Sequence, residues 1–232
     1  NDCVATDEIG TAFGDNDKLS ALVASKVDAD LLIILSDIDA LYDRDPRKHR
    51  EAKPIHTVES LTPEIIASAG KPGSSVGTGG MATKLLAVRV AENAGCRTII
   101  AHGKEPEVIS RLMGGEELGT VFLAQRRLKN RSRWILNSEP RGRIVVDEGA
   151  IEAMRHHKSL LPTGVRRVEG VFQAGAVVLV NDKAKIVSSF NSSELESLIG
   201  KHSSEVPGIV GDSRKLIARP EDMVFLEDEE EV

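Results

Sequence analysis

The sequence predicts an α/β layered domain with a mostly parallel sheet, followed by a small, mostly-β, barrel-like domain. Three observations carry this. Short apolar runs alternate with helical patterns up to about residue 123, the mark of crossover connections between sheet strands. A basic, polar stretch, Q-R-R-L-K-N-R-S-R at 125–133, then interrupts the pattern. Beyond it, short strand-like runs separated by turn residues dominate.

The elements follow in order. Residues 1–17 are polar and glycine-containing and read as loop or hairpin. Leu19, Leu22, Val23 and Val27 sit at helical spacing over 18–27, with Asp17 placed as N-cap. Leu31-Leu32-Ile33-Ile34-Leu35 is a continuous apolar run, as in a strand buried on both faces. Ser36-Asp37 then falls at its carboxyl end, where open α/β sheets place ligands. A turn-rich loop carries Tyr42, the single tyrosine, and Pro46, which blocks helix. Residues 53–58 read as one edge strand. Residues 61–69 read as a short helix with Thr62 as N-cap and Pro63 at its first position. A helix over 82–94 ends at Gly95, a strand over 97–101 leads to His102-Gly103, a helix covers 106–113, and a last strand covers 119–123.

The glycine-rich stretch V-G-T-G-G-M-A-T-K, Val76–Lys84, is the main candidate for chemistry. Exposed backbone N–H groups at a helix start attract anions, and Lys84 adds a full positive charge. The Walker spacing G-x-x-x-x-G-K-[ST] is not met, because Leu85 follows the lysine. The alternative is a plain connection with a surface lysine, although the helix macrodipole disfavours a cation there.

In the second half, Arg143–Val146 reads as a strand, Asp147 opens a helix over 148–156, and 166–171 is a strand. Strands at 176–180 and 184–187 flank Asn181-Asp182-Lys183 as a hairpin. Helical pieces at 193–199 and 203–210 and strands at 216–218 and 223–226 complete the pattern. The expected division is 1–126, a linker at 127–140, a second domain at 141–226, and a solvated acidic tail at 227–232. Trp134 is expected to pack at the junction. His156-His157 carries no metal site, since neighbours on a helix point apart.

Composition narrows the class. Hydrophobic residues at 41% and charged residues at 28% suit a soluble globular chain. No apolar run approaches ~18 residues, and the start does not read as a signal peptide. Cys3 and Cys96, far apart, give neither a disulfide framework nor a zinc site. The reading is cytoplasmic, without a membrane. Charge is uneven: 1–126 is net −5, 127–219 net +6 and 220–232 net −7. The basic middle block permits nucleic-acid contact without requiring it.

In combination the motifs are specific. G-D-N-D-K-L-S-A (Gly14–Ala21), S-D-I-D-A-L-Y-D-R-D-P-R (Ser36–Arg47) and G-T-G-G-M-A-T-K (Gly77–Lys84) resemble three signatures of the glutamate 5-kinases, within the amino-acid kinase family. V-D-E-G-A (146–150) and S-L-L-P-T-G-V (159–165) resemble the PUA domain that follows in those enzymes. The resemblance implies the C-terminal half of a three-layer amino-acid-kinase sandwich, on its ATP-binding side, and then a PUA domain. The chain opens Asn1-Asp2-Cys3 without Met. The expectation is a fragment that lacks a first phosphate loop and a second lysine, and that alone binds ATP poorly and phosphorylates nothing.

The implied reaction is ATP-dependent phosphorylation of the side-chain carboxylate of L-glutamate to L-glutamyl 5-phosphate, the first step of proline biosynthesis. Lys84 and Asp17 match the catalytic positions, and Asp2, Asp15 and Asn16 the glutamate pocket. Ser36, Asp37, Thr78, Gly79, Gly80, Met81, Ala82, Thr83 and Lys84 match the nucleotide contacts. Tyr42 and Pro46 stand as adenine wall or as packing. ATP with Mg2+ is implied, without a visible protein ligand cluster for the ion. Feedback inhibition by proline and a homo-oligomer, dimer or tetramer, are implied as well. Two alternatives stay open. One is an RNA-binding protein acting through the PUA-like part. The other is an amino-acid kinase acting on aspartate, acetylglutamate, carbamate or UMP, against which the PUA-like part argues.

Overall fold

The computed structural model describes residues 16–46, 48–68, 80–125, 127–211 and 213–226. The chain divides into two compact units between Leu128 and Lys129.

The first unit is built on a four-stranded sheet in the order β1-β5-β6-β4. Here β1 is Leu31–Ser36, β4 Thr57–Val58, β5 Arg97–His102 and β6 Thr120–Phe122. β1 lies parallel to β5 and β4 parallel to β6, while β5 and β6 run antiparallel. A two-stranded ribbon, β2 (Leu41–Tyr42) against β3 (Pro54–Ile55), stands apart from this sheet. The expected single strand over 53–58 is therefore two strands serving different sheets. His56 separates them, and its carbonyl accepts from Val121 N–H at 2.8 Å.

Helices cover both faces. The alternation of β5 sends Ile100 to one side and Ile99 and Ala101 to the other, because strand side chains alternate. On the first side, α1 (Asn16–Lys26) and α3 (Met81–Glu92) bury Ala21, Ala24, Leu85, Val88 and Ala91 with Ile34, Ile100 and Phe122. On the other, α4 (Val108–Met113) places Val108 and Leu112 against Ile99 and Ala101. The result is a helix–sheet–helix sandwich. A short α2 spans Pro63–Ser68, and Thr62 Oγ1 accepts weakly from Ile65 N–H at 3.4 Å. Gly95, at φ +75°, turns the chain out of α3 into β5.

In the second unit, five strands run in the order β11-β10-β9-β7-β8. These are β7 (Arg143–Val146), β8 (Val165–Glu169), β9 (Val177–Val180), β10 (Ala184–Val187) and β11 (Met223–Phe225). Only β7 and β9 pair in parallel. The order has two ends, so the described strands form an open sheet rather than a closed ring. Helices α6 (Glu148–Arg155), α7 (Ser192–Leu198) and α8 (Val206–Val210) close its core. There Ile144, Val178, Ile186, Phe190, Leu195 and Ile217 are wholly buried.

Several local signals of this unit act as expected. Asp147 caps α6 by accepting from Ala150 N–H at 2.8 Å. Asn181 and Asp182 both take positive φ, 49° and 56°, as the tight turn between β9 and β10 demands. Residues 216–218 do not form a strand; Ala218 makes an isolated bridge with Leu160 instead.

Two expectations are corrected here. The stretch 127–140, read as a linker, contains α5 (Asn130–Asn137). Ile135 of α5 is buried against Val177 and Val187, and Lys185 Nζ donates to the carbonyls of Leu136 and Ser138 at 2.6 and 2.9 Å. Its charged surface hid an apolar face only two residues wide. Trp134, read as packed, is 46% exposed, with the Arg131 guanidinium 4.7 Å from the ring centroid and tied to Asp222 at 2.7 Å.

Candidate functional site: a buried lysine at a helix start

The site is built where α1 and α3 pack side by side on one face of the sheet. α3 begins just after Gly80, which takes extended geometry and offers no side-chain cap. The hydroxyl of Thr83 donates back to Gly80 O at 2.7 Å, tightening the turn. The first-turn N–H groups of Met81 and Ala82 have no intrahelical acceptor by the geometry of a helix. Positive potential therefore gathers at this end.

Lys84 sits in that first turn and is 5% exposed. Its Nζ lies 2.7 Å from Asp17 Oδ2, and the two side chains are 6% and 15% exposed. A cation at a helix start needs a strong reason to be there, and so does a buried one. Asp17 supplies the compensating charge across 67 residues of sequence. This corrects the N-cap expectation for Asp17. The helix already includes Asn16, so Asp17 lies inside the first turn and its carboxylate reaches sideways to Lys84. Its backbone carbonyl accepts from Ser20 Oγ at 2.7 Å.

The parallel pairing of β1 and β5 brings a second group of residues together. Ser36 is in register with His102, so Ser36-Asp37 and His102-Gly103 share the carboxyl edge of the sheet. Ser36 Oγ donates to Asp37 Oδ1 at 3.0 Å and accepts from Ile38 N–H at 3.2 Å. Gly103 N–H donates to Ser36 O at 2.7 Å, and a Cβ at 103 would press Leu35 Cβ at 3.4 Å. His102 Nδ1 accepts from Lys104 N–H at 3.1 Å. His102 and Gly103 were visible in the sequence as strand-end residues, but their adjacency to Ser36 depends on strand order.

Nearby in sequence, Tyr42 OH donates to Asp39 Oδ2 at 2.8 Å, which holds the phenol pKa above its ordinary value. Asp43 is held below the usual carboxylate range, chiefly because Lys53 N–H donates to it. Asn16 is exposed at the start of α1. Asp2, Asp15, Thr78 and Gly79 lie outside the described residues. Among the described residues, no group of three His, Cys, Asp or Glu side chains stands together as a metal site. No described helix is long and apolar enough to cross a membrane.

Residues 1–102 match the amino acid kinase family, and residues 142–210 match the PUA domain. The two matches lie in that order along the chain and do not overlap. The glutamate 5-kinase of Methanosarcina barkeri is 47% identical over 216 residues, 91% of this chain and 56% of that protein. The glutamate 5-kinase of Cyanothece sp. is 47% identical over 219 residues, 91% of this chain and 59% of that protein. Among solved structures, the UMP kinase of Bacillus anthracis aligns over 49% of this chain and 42% of its own, at 18% identity and TM-score 0.38. The chain spans a little over half the length of these two glutamate 5-kinases. Lys84, Asp17, Ser36 and Asp37 all fall within residues 1–102, the stretch that matches the amino acid kinase family.

Proposed function

We propose that the protein is a glutamate 5-kinase, moving the γ-phosphoryl of ATP to the side-chain carboxylate of L-glutamate. The observation that carries this is the buried Lys84–Asp17 pair at the uncapped start of α3. The 44–47% identity to enzymes of that name supports it.

A carboxylate is already a nucleophile near neutral pH, so the step needs no general base. One glutamate Oε attacks the γ-phosphorus, the bond to the bridging oxygen breaks, and ADP leaves. The obstacle is bringing two anions together, which positioning and fixed positive charge overcome. Lys84 supplies a compact charge for a transferring phosphoryl oxygen. Asp17 holds that ammonium in one direction, so no reorganisation is needed at the moment of transfer. The first turn of α3, Gly80 to Thr83, offers backbone N–H groups to phosphate, and Thr78 and Gly79 precede it in the same loop. Ser36 and Asp37 contact the nucleotide at the edge of the sheet. Asp2, Asp15 and Asn16 form part of the glutamate pocket. Mg2+ neutralises the β- and γ-phosphates when bound; this reading assigns it to the phosphates and water rather than to a protein cluster. The kinase part is placed at 1–126 and the PUA domain at 141–226. Proline as inhibitor and a homo-oligomer belong to the same reading.

The test, on the full-length protein rather than on these 232 residues alone, is acyl-phosphate formation, trapped as hydroxamate with hydroxylamine, and dependent on both ATP and glutamate. Lys84→Ala is expected to lower kcat about 100- to 1,000-fold. Equal rates in the variant would remove Lys84 from the mechanism. Faster turnover with aspartate, acetylglutamate, carbamate or UMP would move the substrate assignment.

A further inference from the structure

The loop leaving Ser36-Asp37 returns to the sheet only at β4, and its ribbon, β2 with β3, belongs to no larger sheet. Leu41 and Ile55 pack it against the core, and one hydroxyl from a distant strand ties its backbone. Leu41 N–H donates to Thr120 Oγ1 at 2.8 Å, and Thr120 Oγ1 donates to Ile55 O at 2.6 Å. Leu41 and Ile55 are partners across the ribbon, so the same hydroxyl ties both of its strands at one rung. Thr120 is wholly buried, and Leu41 beside it is 1% exposed.

The backbone around Thr120 is shaped for this approach. Gly119 takes φ +77°, and a Cβ there would collide with the Ile100 carbonyl oxygen. Only glycine lets the chain enter so close to β5, after which Thr120 pairs with Ile100. The next residues of β6 continue the grip, Val121 N–H on His56 O at 2.8 Å and Leu123 N–H on Val58 O at 2.9 Å. Those bonds use backbone alone and tolerate many side chains. The rung at Thr120 needs a hydroxyl, because one atom must both accept and donate.

We propose that Thr120 is a positioning residue for the nucleotide: its buried hydroxyl fixes the ribbon 41–55 and so sets the path of the chain leaving Ser36-Asp37. This rests on the reading of Ser36 and Asp37 as nucleotide contacts. The strand end at Ser36 is fixed by β5. The other end of the five-residue span to Leu41 is fixed by Thr120. Losing that anchor frees Asp37 and Asp39 to wander, while Lys84 and Asp17, on α3 and α1, keep their geometry.

Thr120→Val keeps shape and removes the hydroxyl; Thr120→Ser keeps the hydroxyl. The expected result is a rise of about tenfold or more in KM for ATP in Thr120→Val, with KM for glutamate within about twofold of wild type. Thr120→Ser is expected to stay near wild type. An unchanged KM for ATP in Thr120→Val, or equal damage in both variants, overturns the proposal. A measurement on the unmodified protein is independent of catalysis and of the variants' folding. In hydrogen exchange, the Leu41 amide is expected to be protected at least about 100-fold beyond the amides of the exposed residues Arg50 and Glu51. Exchange of Leu41 as fast as those amides overturns the clamp even where the kinase reading stands. Protection of Leu41 in a full-length protein that makes no glutamyl phosphate fails the kinase reading and leaves the clamp.

Discussion

The two units solve the problem of a stable interior differently. The second meets most of its local rules at turns and caps, although it too buries a cation, Arg133, and holds His157, Asn181 and Asp182 at positive φ. Asn191 makes a reciprocal capping box with Glu194 at the start of α7, and Asp147 caps α6. Asn181 closes its turn and pins Val146 through both backbone groups at 2.8 and 2.9 Å. Its buried core residues are apolar from Ile144 to Ala218. The first unit keeps a buried ammonium and carboxylate beside its core, a buried threonine hydroxyl holding a ribbon, and an αL residue, Glu107, before α4. Such departures are costly, and they lie near the strand ends and the helix start to which the proposed kinase chemistry is assigned. The difference teaches where the first unit places its costly groups: they join segments far apart in sequence, 17 with 84 and 120 with 41 and 55.

The comparison breaks most sharply at the buried pair. Asp17→Leu alone leaves Lys84 buried and uncompensated, and is expected to cost about 3–5 kcal/mol of stability in urea unfolding. Asp17→Leu with Lys84→Met replaces both charges by apolar groups, and is expected to recover most of that stability while phosphoryl transfer stays lost. A double variant as unstable as the single one would mean that the pair serves packing rather than chemistry.

In the second unit the expected effect falls on stability alone. Ile186, wholly buried, is expected to cost about 2–5 kcal/mol as Ile186→Ala, with KM for ATP unchanged. A shifted KM would erase the division of labour between the units. Asn191→Ala removes one half of the capping box and is expected to cost about 1 kcal/mol by thermal or urea unfolding.

The smallest effect is spectroscopic. Tyr42 is the single tyrosine, so its ionisation can be read alone at alkaline pH by absorbance. Its hydrogen bond to Asp39 raises its pKa in the folded protein. A raised native pKa favours the protonated form, so the contribution to stability is full below the unfolded value of about 10 and is lost as pH rises through the folded one. Asp39→Asn is expected to bring the midpoint down towards the ordinary phenol value. A midpoint unmoved by that change would mean that the contact does not persist in solution.

Much of the fold was legible beforehand because its elements announce themselves locally. The apolar run 31–35, the helical spacing after Lys84 and the Asn181-Asp182 turn each encode one conformation over a few residues. The failures share a cause as well. The helix over 130–137 was taken as linker because two buried residues, Ile135 and Leu136, give too narrow an apolar stripe among so many charges. Trp134 was taken as packed because it is large and apolar, yet its ring lies under Arg131 at the surface. For Asp17 the local pattern offered only an N-cap, because nothing near it in sequence points to a lysine; its link to Lys84 came from the family resemblance.

By itself, the sequence determined most of the strands and helices, where the glycine-rich loop meets Lys84, and that a mostly-β unit follows an α/β one. Short-range periodicity and turn chemistry suffice for that. Only the tertiary structure decided that Asp17 meets Lys84, that His102 lies beside Ser36, and that Thr120 holds Leu41 and Ile55. Those contacts follow from the strand order β1-β5-β6-β4 and the packing of α1 on α3. Order and packing come from burying both faces of the sheet at once, a requirement of the whole chain that no single stretch of it records.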